Sequence, residues 1–201
     1  MIDPNKPTYW YFKSALSKEL CEKIIQTGLS KTSQLGTTGA VPKQGGFTKK
    51  DIKTIKKHRY SDIVWLYDSW IYQEILPFVK VANNESGWGY QWHNTETAQF
   101  TIYKKNQYYK WHQDTGKPNK DNLTRKLSVT VSLSDPKDYK GGLLEIDDRK
   151  IDAKKSKMVV KEGLPQGSII VFPSYMWHRV TPVTKGTRYS LVIWNLGFRF
   201  I

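Results

Sequence analysis

The stretch YYKWHQDTGK places His112 and Asp114 two positions apart, just after a run of aromatic residues. On an extended chain, residues i and i+2 point to one face, about 6–7 Å apart along the backbone, so both side chains can reach one point. An imidazole and a carboxylate that converge in this way are ligands for a divalent metal, and a third ligand is then required. His58 lies in the basic stretch KKHRY and reads as surface, and His93 in YQWHNTE reads as a hydrogen-bonded structural residue at a strand end. His178 differs. It follows the apolar run GSIIVFP, sits in SYMWHRVTP and comes about four strands after the HxD pair. Two histidines and one carboxylate leave three adjacent coordination positions open, the arrangement suited to non-haem Fe(II) handling O2.

Chemistry of that kind needs two electrons. The common donor is 2-oxoglutarate, whose 2-oxo acid end chelates iron and whose far carboxylate needs a cation. Arg188, ten residues after His178 in TKGTRYSLVIW, stands where a returning strand would set a guanidinium deeper than the metal. A charge-assisted pair with that carboxylate contributes on the order of 1.5–3 kcal/mol.

The elements that must position these residues are legible in outline. SKELCEKIIQTGL reads as a helix capped by Ser17, with Leu20, Ile24, Ile25 and Leu29 as its apolar stripe. Residues 31–50, rich in glycine and proline, read as a long mobile loop. IVWLYDSWIYQEILPFVKVAN begins as a possible short strand and becomes a second helix from about Asp68, bent or ended near Pro77. From about Trp88 short β-rich runs follow: TAQFTIYKK, YYKWHQ, KLSVTVSLS, GGLLEI, KMVVKE, GSIIVFP, MWHRVTP and RYSLVIWNLGF. Turn clusters such as SDPKDYKGG separate them, as in a β-sandwich or barrel. The expected fold is mainly β with N-terminal helices: a double-stranded β-helix (jelly-roll, cupin-like) core flanked by two or three α-helices. It forms one domain over 1–201, with helical support in 1–87 and the core in about 88–201.

Composition bounds the partners. The single Cys21 rules out an internal disulfide framework and a cysteine-based zinc site. No apolar run is long enough to span a membrane, and MIDPNKPTYWYF has no signal-peptide pattern, so a soluble cytoplasmic protein is expected. Lysine and arginine number 32 against 18 acidic residues, a surplus of +14 that attracts anions. The lysines fall in short dispersed groups, so the charge argues only weakly for nucleic acid. The Lys- and Asn-rich usage fits a microbial or viral source.

Together, Y-x8-HxD, a distant histidine and an arginine ten residues on resemble the pattern of Fe(II)/2-oxoglutarate dioxygenases. VSLSDPKDYKGGLLEI and LPQGSIIVFPSYMWHRVTPVTKGTRYSLVIW are similar to the PKHD-type hydroxylases, relatives of the prolyl 4-hydroxylases. The resemblance runs from about Thr97 to Trp194 and implies iron bound by His112, Asp114 and His178, with 2-oxoglutarate and O2 as co-substrates and ascorbate as reductant. It implies Arg188 as partner of the distal carboxylate, with Tyr103 sharing it, Trp194 lining the pocket and Tyr109 at its mouth. Between the two tyrosines the family often has glycines; here the turn is KKNQY. The implied reaction is hydroxylation of an unactivated C–H, first of all in a prolyl residue of a peptide or protein, with succinate and CO2 as co-products. The carboxylate of Asp114 favours hydroxylation over halogenation. The alternatives are a nucleic-acid demethylase of the same superfamily, in which the position of Trp194 would carry a second arginine, or a jelly-roll binding module without catalysis. Residues 31–50 and 115–124 are candidates to cover the site.

Overall fold

The computed structural model describes residues 6–37, 46–148 and 156–198. Strand β1 (Trp10–Phe12) precedes helix α1 (Lys18–Leu29), and β2 (Gln34–Leu35), α2 (Lys49–Lys56), β3 (Arg59–Tyr60) and β4 (Asp62–Leu66) lead into α3 (Ser69–Glu85). There follow β5 (Asn94–Thr95), β6 (Ala98–Tyr103), β7 (Tyr108–His112), β8 (Leu123–Ser132), β9 (Tyr139–Gly141) and β10 (Leu144–Asp147). The chain then forms β11 (Lys157–Val159), β12 (Ile169–Pro173), β13 (Trp177–Val180), β14 (Val183–Gly186) and β15 (Arg188–Phe198). All eight expected runs are strands.

The strands form two facing antiparallel sheets. The larger has the order β1-β12-β8-β15-β6-β4-β2, with β5 paired to β15; the smaller is β11-β10-β13-β7-β3. A separate ribbon pairs β14 with β9. This is the jelly roll, and the N-terminal segment supplies strands to both sheets as well as helices.

Period-two alternation explains how the larger sheet serves two purposes. In β8, Leu127, Val129 and Val131 join Phe100 of β6 and Leu191 and Ile193 of β15 in the core under the helices. The intervening Thr130 and Ser132, with Arg188 and Ser190, face the space between the sheets. The sequence LSVTVSLS thus writes an apolar helix-facing row and a polar row into one strand.

The helices depart from expectation in two ways. In α1 the side chain of Ser17 does accept from the Leu20 N–H at 3.2 Å. The buried face, however, is Cys21, Ile24 and Gly28, and Leu29 is exposed. A Cβ on Gly28 would lie inside contact distance of the Phe100 ring, so the glycine turns this face onto the sheet. Of the two outcomes expected at Pro77, a bend or an end, helix α3 does not end there but runs on to Glu85. Ile71, Ile75, Val79 and Ala82 are buried on both sides of the proline. Pro77 and Gln73, whose carbonyl loses its helical partner, are both exposed, so that group is not buried without a partner. Within the expected loop 31–50, Gln34 and Leu35 pair with β4, and Thr48 opens α2 through a reciprocal capping box with Asp51. Residues 38–45 of that loop lie outside the described residues.

Candidate metal centre

Strands β7 and β13 are neighbours in the smaller sheet, and their register sets His112 directly opposite His178. A bulge between His178 and Val180 lets Tyr109 and His112, three residues apart, both face the pocket. The HxD pair does not lie within one strand as expected: β7 ends at His112. Asp114 is instead fixed by its own N–H and that of Thr115, which both donate to the Ser174 carbonyl, at 2.9 and 3.0 Å.

The geometry then fits a divalent cation. One ligand atom from each of His112, Asp114 and His178 lies within 4.8 Å of the others. The His112 Nδ1 lies 2.7 Å from the Lys110 carbonyl, and the His178 Nδ1 lies 3.0 Å from that of Met176. A carbonyl oxygen only accepts, so each Nδ1 carries the proton and each Nε2 lone pair is left for a metal. Both Nε2 atoms face Asp114, at 3.6 Å from Oδ1 and 3.5 Å from Oδ2. Ser128 donates to Oδ2 at 2.7 Å and is itself 2.9 Å from the Ser174 hydroxyl. Burial opposes charge on Asp114, but attraction to His178 and then to His112, exerted whenever those rings are protonated, outweighs it and holds the carboxyl well below the usual carboxylate range. Burial pushes His178 down to about 4. Both shifts favour the forms that a cation needs, carboxylate and neutral imidazole.

The pocket above this cluster is lined by every residue to which the sequence reading gave a role in the site. Arg188, at 4% exposure, opens β15 opposite Tyr103 in the β6 register. Its guanidinium lies 5.6 Å from the Tyr103 ring centre, and Nη1 donates to Ser190 at 3.3 Å. Among the described residues it has no carboxylate partner. Gly142 leaves room for it, since a Cβ there would meet the Arg188 Cδ at 2.9 Å. Burial raises the Tyr103 hydroxyl, and burial pushes that of Tyr109 up to about 12, so both remain O–H donors. Tyr109 stacks on His112 with ring centres 3.5 Å apart. Trp194 carries Arg125 over its ring at 3.8 Å, and its buried Nε1–H has no acceptor among the described residues.

His58 and His93 are both exposed and outside the cluster. The His58 carbonyl accepts from the Lys110 N–H, and the His93 ring packs on Phe198. The 115–122 segment is organised by Asn119, whose Oδ1 accepts from the N–H groups of Asp121 and Leu123. Two pocket features escaped the sequence reading. Ser128 was visible only as a polar position in the alternation of β8. Arg59, in KKHRY, is 4% exposed and lines the pocket beside Tyr109. The usable signal was Arg59 and Ser61 at strand spacing just before the apolar run IVWL.

Comparison with known proteins agrees with the sequence resemblance. Residues 98–195 match the family described as the 2OG-Fe(II) oxygenase superfamily. A PKHD-type hydroxylase of Teredinibacter turnerae is 39% identical over 98 residues, covering 47% of this chain and 40% of that protein. PKHD-type hydroxylase YbiX of Escherichia coli is 35% identical over 105 residues, covering 51% and 44%. The chain thus spans less than half the length of these relatives. In fold, it is similar to the viral collagen prolyl hydroxylase of Paramecium Bursaria Chlorella virus-1, with a TM-score of 0.65 at 20% identity, covering 95% and 97%. It is also similar to a Trichoplax adhaerens prolyl hydroxylase solved with a peptide fragment, with a TM-score of 0.63 at 15% identity, covering 94% and 83%. The jelly-roll half of the chain is thus similar to the 2OG-Fe(II) oxygenases and, among curated proteins, to PKHD-type hydroxylases. Among the described residues no helix is long and apolar enough to cross a membrane.

Proposed function

We propose that the chain is a single-domain Fe(II)- and 2-oxoglutarate-dependent dioxygenase that hydroxylates an unactivated C–H, with a prolyl residue of a peptide or protein as the leading target. One observation carries this reading: three ligand atoms within 4.8 Å of one another share a pocket with a buried arginine that has no carboxylate partner among the described residues. In this reading His112, Asp114 and His178 hold Fe(II), and Arg188 with the Tyr103 hydroxyl binds the distal carboxylate of 2-oxoglutarate. Bound iron supplies the oxidative decarboxylation of 2-oxoglutarate to succinate and CO2 and the transfer of one oxygen atom of O2 to carbon, with ascorbate as reductant.

The protein's own part is positional. Main-chain carbonyls fix both imidazole tautomers, and Ser128 orients the carboxylate, so the ligand set is organised before the metal arrives. Arg188 is buried beside Tyr103, where water screens a charge pair least. Tyr109 at the mouth and Trp194 in the lining present aromatic surface to the pocket, which helps to exclude water and to hold the reacting carbon in place. The 115–124 segment, which follows directly on Asp114, is the candidate cover among the described residues. The peptide-bound neighbour and the prolyl hydroxylase fold support a peptidyl target. Succinate formation from 2-oxoglutarate with Fe(II) and ascorbate tests the chemistry, and stimulation by a panel of proline peptides and free amino acids tests the target. Wild type is expected to form succinate and Asp114→Ala none; no succinate from wild type in the presence of iron would refute the assignment.

A further inference from the structure

The pocket of the metal cluster holds a second buried arginine that the proposed chemistry does not use. Arg59 projects from β3, the edge strand beside β7, and its guanidinium lies 4.7 Å from the Tyr109 ring centre. Its Nε donates to Ser61 at 2.9 Å. Nη1 has only the Thr37 carbonyl and the Gln99 side-chain oxygen, both at 3.4 Å, beyond the usual N–H···O range. Nη2 has no acceptor among the described residues, and no carboxylate there pairs with it. The 34–37 segment closes over its outer side. A Cβ on Gly36 would meet the Arg59 Nε at 2.7 Å and the Ser61 Oγ at 2.6 Å, so the chain passes as near as a glycine allows. Arg59 lines the pocket, and the Nη2 side of its guanidinium is the part left without an acceptor among the described residues.

A buried cation held by one short neutral hydrogen bond and an aromatic face is incompletely compensated. The other arginines of the region have accounts. Arg125 is paired with Glu96, and Arg188 is committed to the co-substrate in the reading above. In the loaded enzyme, Asp114 and the two carboxylates of 2-oxoglutarate balance Fe(II) and Arg188. Arg59 is then the one uncompensated charge lining the pocket among the described residues.

We infer that Arg59 is a recognition site for a single carboxylate on the primary substrate, so that the hydroxylated molecule carries an acidic group close to the reacting carbon. The inference rests on the dioxygenase reading and narrows its substrate class to carboxylate-bearing molecules, either a terminal carboxylate or an acidic side chain next to the target residue. A monoanion fits better than a phosphate dianion, because one guanidinium edge offers two or three donors and one charge.

The test uses the full chain loaded with Zn(II) and 2-oxoglutarate, which bind without turnover. The side-chain Nε–H resonance of Arg59, identified by its loss in Arg59→Lys, is followed while acetate, acetamide or inorganic phosphate is added. Acetate is expected to shift it saturably and acetamide not to. In calorimetric titration, Arg59→Met is expected to weaken acetate binding by about tenfold or more, the scale of one charge-assisted hydrogen bond, while Lys57→Gln, which removes an exposed charge two residues away, leaves it unchanged. N-acetyl-L-proline against its amide, and a Pro-Glu peptide against Pro-Gln, then separate the two carboxylate sources; competition with acetate by either acid supports the inference. Anomalous scattering from wild-type crystals soaked in 4-bromobenzoate, an unreactive aryl bromide, gives a readout that needs no variant, with a peak expected beside Arg59. If acetate moves nothing, or phosphate alone does, while 2-oxoglutarate still shifts the Arg188 resonance, the carboxylate site is wrong and the dioxygenase reading stands. If 2-oxoglutarate also leaves Arg188 unmoved, the dioxygenase reading itself has failed.

Discussion

The two sheets that enclose the pocket differ in how they are supported. In the larger sheet, β8 and β15 run for ten and eleven residues, and one of their faces is packed under the helices. In the smaller sheet, β7 and β13 have five and four residues, and the ring of Trp111 stands between Arg179 and Lys157, 4.9 and 5.8 Å away. The larger sheet carries Arg188, Tyr103 and Ser128; the smaller carries both histidines. Pocket floor and metal ligands therefore rest on unequal foundations. The floor shares its strands with the main core, whereas the imidazoles depend on a bulge and on local bonds to carbonyls two residues back. Damage to the first should appear as lost stability, and damage to the second as lost metal affinity.

Asp114→Ala should give the largest effect and the clearest separation. Metal retention, read by equilibrium dialysis, and succinate formation should both fall to background, while the metal-free protein stays folded by circular dichroism. In the larger sheet, Phe100→Ala should do the opposite. It should cost about 3–5 kcal/mol in denaturant unfolding, because a fully buried ring is removed, and the folded fraction should still bind metal.

Acid should act on the smaller sheet first. The folded-state value of His178 is about 4 against an ordinary 6.5, so the unfolded chain takes up a proton in that interval that the folded chain refuses. Asp114 is depressed as well, and its contribution is also lost toward low pH. The melting temperature of the metal-free protein should thus fall between pH 6.5 and pH 4, and His178→Asn should flatten the dependence. A melting temperature that rose in that window would contradict the burial of His178. Ser128→Ala should weaken metal binding by about 10–100-fold, with a smaller loss of stability from its contact with the Ser174 hydroxyl, since Ser128 orients the carboxylate. Smallest of all, Arg179→Gln breaks the half-exposed pair with Glu145 on the smaller sheet and should change stability by no more than about 1 kcal/mol.

What could be read in advance divides along the same line. The eight strands of the jelly roll announce themselves by alternation and turns, and LSVTVSLS displays both of its faces in one glance. The residues of the metal cluster stand out because their types are rare in a strand-rich region. Pairing across distance was not legible: nothing local joins Trp10 to Val171 or Gln34 to Ile63, and those registers arise only when the core closes. Helix α2 has just Ile52 and Ile55 as apolar residues, so periodicity misses it, although its capping box was present at Thr48 and Asp51. Arg59 was hidden by its neighbours. Lys56, Lys57 and His58 make its stretch look like surface, and a two-residue strand is too short to show which way a side chain turns.

The contact of Gly28 with Phe100 has a consequence for how this sequence can drift. One position supplies the bulk and the other the absence of it, so each fixes what the other can become. Among natural variants the two should change hands jointly: a side chain gained on the helix ought to accompany one trimmed on the strand, and a chimera that exchanges α1 alone inherits half of a matched set.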